Sequence, residues 1–296
     1  MSNESNQSAP DAPVDNSATS ARTRADAAET LVLSLDTATA NRSVAVVRGE
    51  RTLALVCGDL RESHSANVLA DVDKALQQAS VKIADVELFA AACGPGSFTG
   101  LRAGLATVKA FAATLQQPVV GVPTLHALAY AARPASRLWA LIPAGRGEVF
   151  AQLLSVDSEG HIEELSEGIH VPPAALIEHE QLRCETVKWV GGGAHAAASL
   201  ILEGARACAC TFVEEAKEDS SEAAATGGAV WTLARPVENL APAVAALALR
   251  TMEARTPMRA EDLQAIYIRA SDAELNERWR AQQSPKEIHS KRPSTR

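Results

Sequence analysis

Apolar residues in this chain follow two rhythms. Short, nearly continuous apolar runs over 31–35, 43–48 and 52–57, joined by short polar connections, predict three strands in a meander. A helical spacing takes over at 65–79, where Val68, Val72, Ala75, Leu76 and Ala79 share one face behind the polar opening Ser63-His64-Ser65. The apolar run 86–92 predicts a fourth strand. Leu101, Leu105, Val108, Ala112 and Leu115 then mark one face of a helix over 99–115. A fifth strand is expected at 118–122, and Pro123 starts a helix that runs through Ala132.

The second half begins again with strands. Runs at 138–142 and 148–156, the turn Asp157-Ser158-Glu159-Gly160 and a third strand nearby echo the opening of the first half. A strand at 186–190 leads through Gly191-Gly192-Gly193 into a helix at 194–202. The stretch 214–228, charged and then rich in Ala and Gly, reads as an exposed connection. A last helix at 242–254 precedes a closing strand or extended segment at 263–269. Antiparallel strands followed by crossovers fit an α/β fold of mixed sheets with helices on their faces.

The most informative stretch is Gly94-Pro95-Gly96-Ser97-Phe98-Thr99-Gly100-Leu101-Arg102-Ala103-Gly104, which joins an apolar strand to a long helix through a loop almost bare of side chains. Such a loop has two readings: amides turned toward one anion, or a tight turn with Ser97 or Thr99 as helix cap. Its glycines are too widely spaced for the dinucleotide fingerprint, and no Lys-Ser or Lys-Thr follows them as in a Walker loop. Asp36, at the carboxyl end of the first strand, either meets magnesium or phosphates together with Thr37, or closes an Asx turn. The candidate nucleotide-binding residues are Asp36, Thr37, Gly94, Gly96, Ser97 and Gly192. Gly104 costs about 1 kcal/mol relative to alanine inside a helix. With Ala103, Ala106, Ala110 and Ala113 it makes a smooth surface, suited either to a partner helix or to the chain's own core.

Composition narrows the field. With 296 residues, 47% of them hydrophobic, the chain can bury two modest cores. No apolar run is long enough to span a bilayer, and residues 1–29 lack the basic start and apolar centre of a signal peptide, so a cytoplasmic protein is expected. A formal charge of −8 opposes a phosphate backbone, which leaves tRNA or other nucleic acid to be reached through a partner. The five cysteines, Cys57, Cys93, Cys184, Cys208 and Cys210, suit reduced, packed thiols. The seven histidines form no metal-binding helical pair, and no Gly-x-Ser-x-Gly nucleophile elbow occurs, so no catalytic residue and no metal site are assigned.

Five landmarks carry a family resemblance: 33–39 (Leu-Ser-Leu-Asp-Thr-Ala-Thr), 93–104, Gly121-Val122-Pro123-Thr124-Leu125, Gly147-Glu148-Val149-Phe150 and Ile266-Tyr267-Ile268-Arg269. In order, they resemble those of the TsaB, or YeaZ, family across 31–269. The resemblance implies two related actin-like, sugar-kinase-like (ribonuclease H-like) domains, at 30–133 and 134–270. Residues 1–29 would be a disordered leader and 271–296 a flexible basic tail, and the final helix could pack back on the first domain. It implies a non-catalytic companion of the TsaD transferase in making threonylcarbamoyladenosine in tRNAs that read codons starting with A. A TsaE-type ATPase joins the complex, and the subunit forms a homodimer when alone. No resident cofactor is implied; ATP or ADP with magnesium would enter only at the complex.

In the resemblance, the first domain's two helices hold the partner, which maps onto Val68, Leu69, Val72, Leu76, Leu101, Gly104, Leu105 and Val108. The transferase's His-x-x-x-His would fall after the fifth strand, where this chain has the single histidine His126. Pro143 stands where the family often has an aspartate, five residues before the Glu of Arg146-Gly147-Glu148. The rival function is an ATP-binding phosphotransferase or ATPase of the same fold.

Overall fold

The computed structural model describes residues 29–58, 67–215, 228–254 and 258–268. The expected leader up to residue 28, His64, most of the 214–228 connection, Arg269 and the basic tail lie outside these residues. The first sheet contains β1 (Leu31–Asp36), β2 (Ser43–Arg48), β3 (Arg51–Cys57), β4 (Leu88–Gly94) and β5 (Val119–Pro123), in the order β3-β2-β1-β4-β5. β1 pairs antiparallel with β2, and β2 with β3, as the meander required, whereas β4 runs parallel to β1 and to β5.

Both faces of this sheet are apolar, and the alternation along each strand sorts residues between two cores. Leu31, Leu33, Leu35, Phe89 and Ala91 face a core covered by α1 (Val68–Ala79) and α2 (Phe98–Leu115). Val32, Leu88, Ala90, Val120 and Val122 face the opposite core, which holds α3 (Thr124–Ala131) and α7 (Ala241–Ala254).

The second sheet is built from β6 (Ala135–Gly145), β7 (Glu148–Val156), β8 (Ile162–Glu164), β10 (Val187–Val190), β11 (Thr211–Glu214) and β12 (Val230–Leu233), ordered β11-β12-β10-β6-β7-β8, with β9 (Ile169–Val171) also paired to β7. Read from β8, the order β8-β7-β6-β10-β12 repeats that of the first sheet: an antiparallel meander, then parallel strands. Leu138, Ala140, Ile142 and Leu154 face the same core as α3 and α7. Trp139, Leu141, Trp189 and Trp231 face outward, onto a core that includes Ile177 of α4 (Pro173–Gln181), Ala194 of α5 (Gly192–Ala196) and Ile201 of α6 (Ala198–Ala207).

Five layers result: α1 and α2, the first sheet, α3 and α7, the second sheet, then α4 to α6. The alanine-rich α7 comes late in the chain yet contacts β1, β2, β4 and β5. Its first amides need acceptors, and Ser43 Oγ supplies one to the N–H groups of Leu240 (3.3 Å) and Ala241 (3.1 Å). Ser34 Oγ in turn donates to the Ala241 carbonyl at 2.8 Å.

The helix expected at 194–202 is split in two at Ala197, and α4, β9, β11 and β12 carry too little periodicity to be foreseen. At 263–268 the chain is extended without a ladder: the Ile266 N–H donates to the Cys93 carbonyl at 2.6 Å.

One buried charge joins α4 to β6. Glu180 is fully buried and accepts from Arg137 Nη2 at 2.7 Å and Trp139 Nε1 at 3.0 Å, with His179 Nδ1 at 3.1 Å. Removing one partner of such a pair is costlier than never having had it. Glu180→Ala is expected to lower unfolding stability by about 3 kcal/mol, since Arg137 retains only the half-exposed Glu185 at 3.4 Å. Urea denaturation measures this, and a loss below about 1 kcal/mol, the range of surface pairs, would contradict the assignment.

Candidate functional site

The carboxyl ends of β1 and β4 lie side by side in the sheet and bring together two of the sequence landmarks, the turn after Asp36 and the glycine loop. Asp36 is fully buried. Its Oδ1 accepts from the N–H groups of Ala38 (2.8 Å) and Thr39 (3.3 Å), and its Oδ2 accepts the Thr39 hydroxyl. The Asx-turn reading is therefore the one realised, with the carboxylate spent on its own backbone.

The glycine loop packs onto that turn. Gly94 has a φ of +116°, which favours glycine, and a Cβ there would collide with the Ile266 carbonyl. A Cβ on Gly96 would strike the Ala38 backbone, one on Gly100 the Thr37 carbonyl, and one on Gly104 the Thr37 hydroxyl. The loop's amides are used internally as well. Gly94 N donates to Thr124 Oγ1 (3.1 Å) and Ser97 N to the Ala38 carbonyl (2.8 Å). Gly100 N donates to Ser97 Oγ (3.3 Å), which makes Ser97 the cap of α2, and Leu101 N to the Ser97 carbonyl (2.8 Å).

These contacts correct the nucleotide-site expectation. Asp36, Thr37, Gly94, Gly96 and Ser97 do come together, but as a packing joint in which the carboxylate, four amides and the glycine faces are already taken. The Gly94, Ser97, Gly100 and Leu101 amides are therefore not free to converge on a phosphate as a cradle requires. Gly192 stands apart at the end of β10, where its nearest side chain is that of Pro143 on the second sheet. The buried Cys93 beside the loop has its thiol pushed up to about 12, chiefly by burial, as befits a packing residue.

The partner-surface expectation also needs correction. Val68, Val72, Leu76, Leu101, Leu105 and Val108 are all buried against the first sheet, and Gly104 is buried against Thr37. Only Leu69 of that set faces outward, 62% exposed. Helical periodicity identified the apolar face correctly, but that face belongs to the chain's own core. The outer face of α2 carries instead Arg102, Ala106, Ala110 and Ala113, all exposed. At its start, Phe98 stacks near Tyr267 with ring centroids 5.7 Å apart, and the Arg102 guanidinium lies 3.9 Å from the Phe98 ring centroid.

The remaining landmarks fall on contacts. His126 of α3 pairs with Glu164 at 3.0 Å; burial lowers its pKa, and the Glu164 charge opposes the shift. Tyr130, four residues on, stacks under Arg133. Glu148 reaches His170 at 3.0 Å, while Pro143 is exposed on β6. Arg42 and Asp71, which tie the meander to α1 at 2.7 Å across the core edge, escaped sequence reasoning because neither stands in a motif.

Comparison with known proteins places this geometry in a lineage. Residues 58–180 match the family model described as TsaD, tRNA N6-adenosine threonylcarbamoyltransferase. An uncharacterized Mycobacterium tuberculosis protein is 39% identical over 100 residues, which are 33% of this chain and 47% of that protein, so the chain spans about half the length of this relative. The Escherichia coli tRNA threonylcarbamoyladenosine biosynthesis protein TsaB is 33% identical over 167 residues, 55% of this chain and 70% of that protein. The solved structure of YeaZ from Pseudomonas aeruginosa superposes with a TM-score of 0.58 at 21% identity, over 80% of this chain and 99% of that one, which shows a shared fold.

The joint makes a stability test. Alanine gains about 1 kcal/mol of helix propensity over glycine, yet overpacking costs about 1–3 kcal/mol. Gly104→Ala should therefore destabilise the chain, and Gly100→Ala should do so more, since its obstacle is a backbone carbonyl that cannot swing away. Thr37→Ala should rescue Gly104→Ala and leave Gly100→Ala unrescued in a double-mutant cycle followed by thermal denaturation. Strict additivity at both positions would refute the joint.

Proposed function

Since the chain belongs to the TsaB family, we propose that it takes part in forming tRNA threonylcarbamoyladenosine, as the non-catalytic companion of a TsaD-type transferase. The observation that carries this reading is the filled glycine loop. The stretch most suggestive of nucleotide chemistry spends its Ser97 amide and the notches of Gly96, Gly100 and Gly104 on the Asp36–Thr39 turn, and its Gly94, Gly100 and Leu101 amides on Thr124 and Ser97. A chain whose best ligand loop is a packing joint acts through its surface, by holding a partner.

The surface on offer is the outer face of α1 and α2. Leu69 on one helix and the Ala106, Ala110, Ala113 stripe on the other leave a low ridge against which a second helix pair can approach closely. A related transferase subunit, built on the same layers, is the partner that the family assignment supports. A TsaE-type ATPase and tRNA would then be reached through the complex, in keeping with the formal charge of −8. ATP or ADP with magnesium would belong to that assembly. The same ridge would serve a second copy of the chain when the transferase is missing.

Omission from a reconstituted reaction tests the role. With the chain, a TsaD-type subunit, a TsaE-type ATPase, a source of threonylcarbamoyl adenylate and tRNA, modification should proceed. Without the chain it should fall to background, and an undiminished rate would reject the proposal. The rival ATPase reading predicts that the chain alone binds magnesium ATP and releases phosphate, both lost in Asp36→Asn.

The ridge has its own test. Ala110→Arg, on an exposed position, should leave the melting temperature within error and weaken transferase binding by at least about tenfold, or about 1.4 kcal/mol. Unchanged affinity in titration calorimetry would remove the outer face of α2 from the interface.

A further inference from the structure

On the far side of the molecule, three of the five cysteines meet at the ends of two packed helices. Beyond α4 the chain turns back with Cys184 at φ +51°, its N–H donating to the Glu180 carbonyl at 2.9 Å. Beyond α6 it turns at Ala209, φ +53°, and the Cys210 N–H donates to the Ala205 carbonyl at 2.9 Å. These two helix ends set the Sγ atoms of Cys208 and Cys210 3.3 Å apart, and the Cys184 thiol, which donates to the Gln181 carbonyl at 3.0 Å, lies near enough to Cys208 for that thiol to help raise its pKa. Cys184 is exposed and the other two are half-buried, so a small reagent can reach the cluster.

The geometry points to a thiol–disulfide exchange site in which Cys208 is the shared member, bonding to Cys184 or to Cys210, with a small-molecule disulfide as the oxidant. The exposed Cys184, as thiolate, attacks one sulfur of the reagent, whose S–S bond breaks and releases one thiol. Cys208 then attacks the Cys184 sulfur of the mixed disulfide, and the second reagent thiol leaves. Cys210 finally attacks the Cys208 sulfur, which moves the bond to Cys208–Cys210 and frees Cys184. Two protein thiols are oxidised and one disulfide reagent is reduced to two thiols, with no other reactant. Closing either bond requires the sulfurs to approach to about 2.05 Å. The cysteines sit on turns past the helix ends, outside the regular hydrogen bonding of α4 and α6.

Burial and the hydrogen bond shared with Cys210 raise the Cys208 pKa, and desolvation raises that of Cys184, so the attacking thiolate is the minor form and exchange quickens as the pH rises. A bond to Cys184 would staple the ends of α4 and α6 across the outer face of the second sheet. The site is independent of the tRNA-modification reading, since it lies on the layer opposite α1 and α2.

The test equilibrates the full chain in a series of glutathione buffers, from reduced to fully oxidised, traps free thiols by alkylation and maps the bridges by peptide mass spectrometry. The expected result is loss of two of the three cluster thiols to one bridge that includes Cys208, whatever adduct the exposed Cys57 takes. Cys184→Ser should retain a Cys208–Cys210 bridge, and Cys210→Ser a Cys184–Cys208 bridge. Cys208→Ser should give a glutathione adduct on Cys184 and no bridge. Circular dichroism checks each variant's fold, and the two flanking variants suffice if Cys208→Ser does not fold. Five free thiols in the most oxidising buffer, adducts without a bridge, or a bridge that avoids Cys208 would each overturn the assignment.

Discussion

The contact between Thr37 and the start of α2 governs the first half of the molecule. Two glycines one helical turn apart, Gly100 and Gly104, open a notch into which the Thr37 carbonyl and hydroxyl fit. Asp36 holds the turn that presents Thr37, and Ser97 caps the helix that receives it. Neither element would keep this approach with an ordinary side chain between them. The glycine loop is thus a device for bringing a helix backbone close to a sheet, and the propensity lost inside α2 is the cost of that closeness.

From this joint the layered arrangement follows. α2 held tightly at the carboxyl ends of β1 and β4 fixes which face of the helix is buried, and with it which face looks outward. The sheet's other side is closed by α3 and α7, which pack between the two sheets. α7 is fastened by Ser34 and Ser43, side chains from strands some two hundred residues earlier in the chain. Each half therefore depends on a helix that sequence order assigns to the other, and the repeated strand order makes the two halves variations on one plan.

Much of this was legible in the residues. Strict apolar runs and helical spacing located every element of the first sheet, because strands buried on both faces and long amphipathic helices leave strong patterns. The short second-half pieces did not: α4 has little segregation of apolar and polar residues, and β11 and β12 have four residues each. For the site, periodicity revealed the buried faces of α1 and α2 but could not say what they bury against. Val68, Leu101 and Gly104 look alike in sequence whether a sheet or a second protein covers them. The buried Glu180, the serines that seat α7 and the approach of Cys184 to the Cys208-Ala209-Cys210 pair were invisible for a simpler reason: their partners are brought together only by tertiary structure.

The central claim is that this chain works through the outer surface of α1 and α2 while its glycine loop serves packing. Hydrogen–deuterium exchange on the full chain, alone, with magnesium ATP and with a TsaD-type subunit, tests it most directly. Slowed exchange across 67–79 and 98–115 on adding the transferase subunit, with no change at 94–97 on adding nucleotide, is the predicted outcome. Protection of 36–39 and 94–97 by magnesium ATP alone, with α1 and α2 unaffected by the transferase subunit, would contradict it.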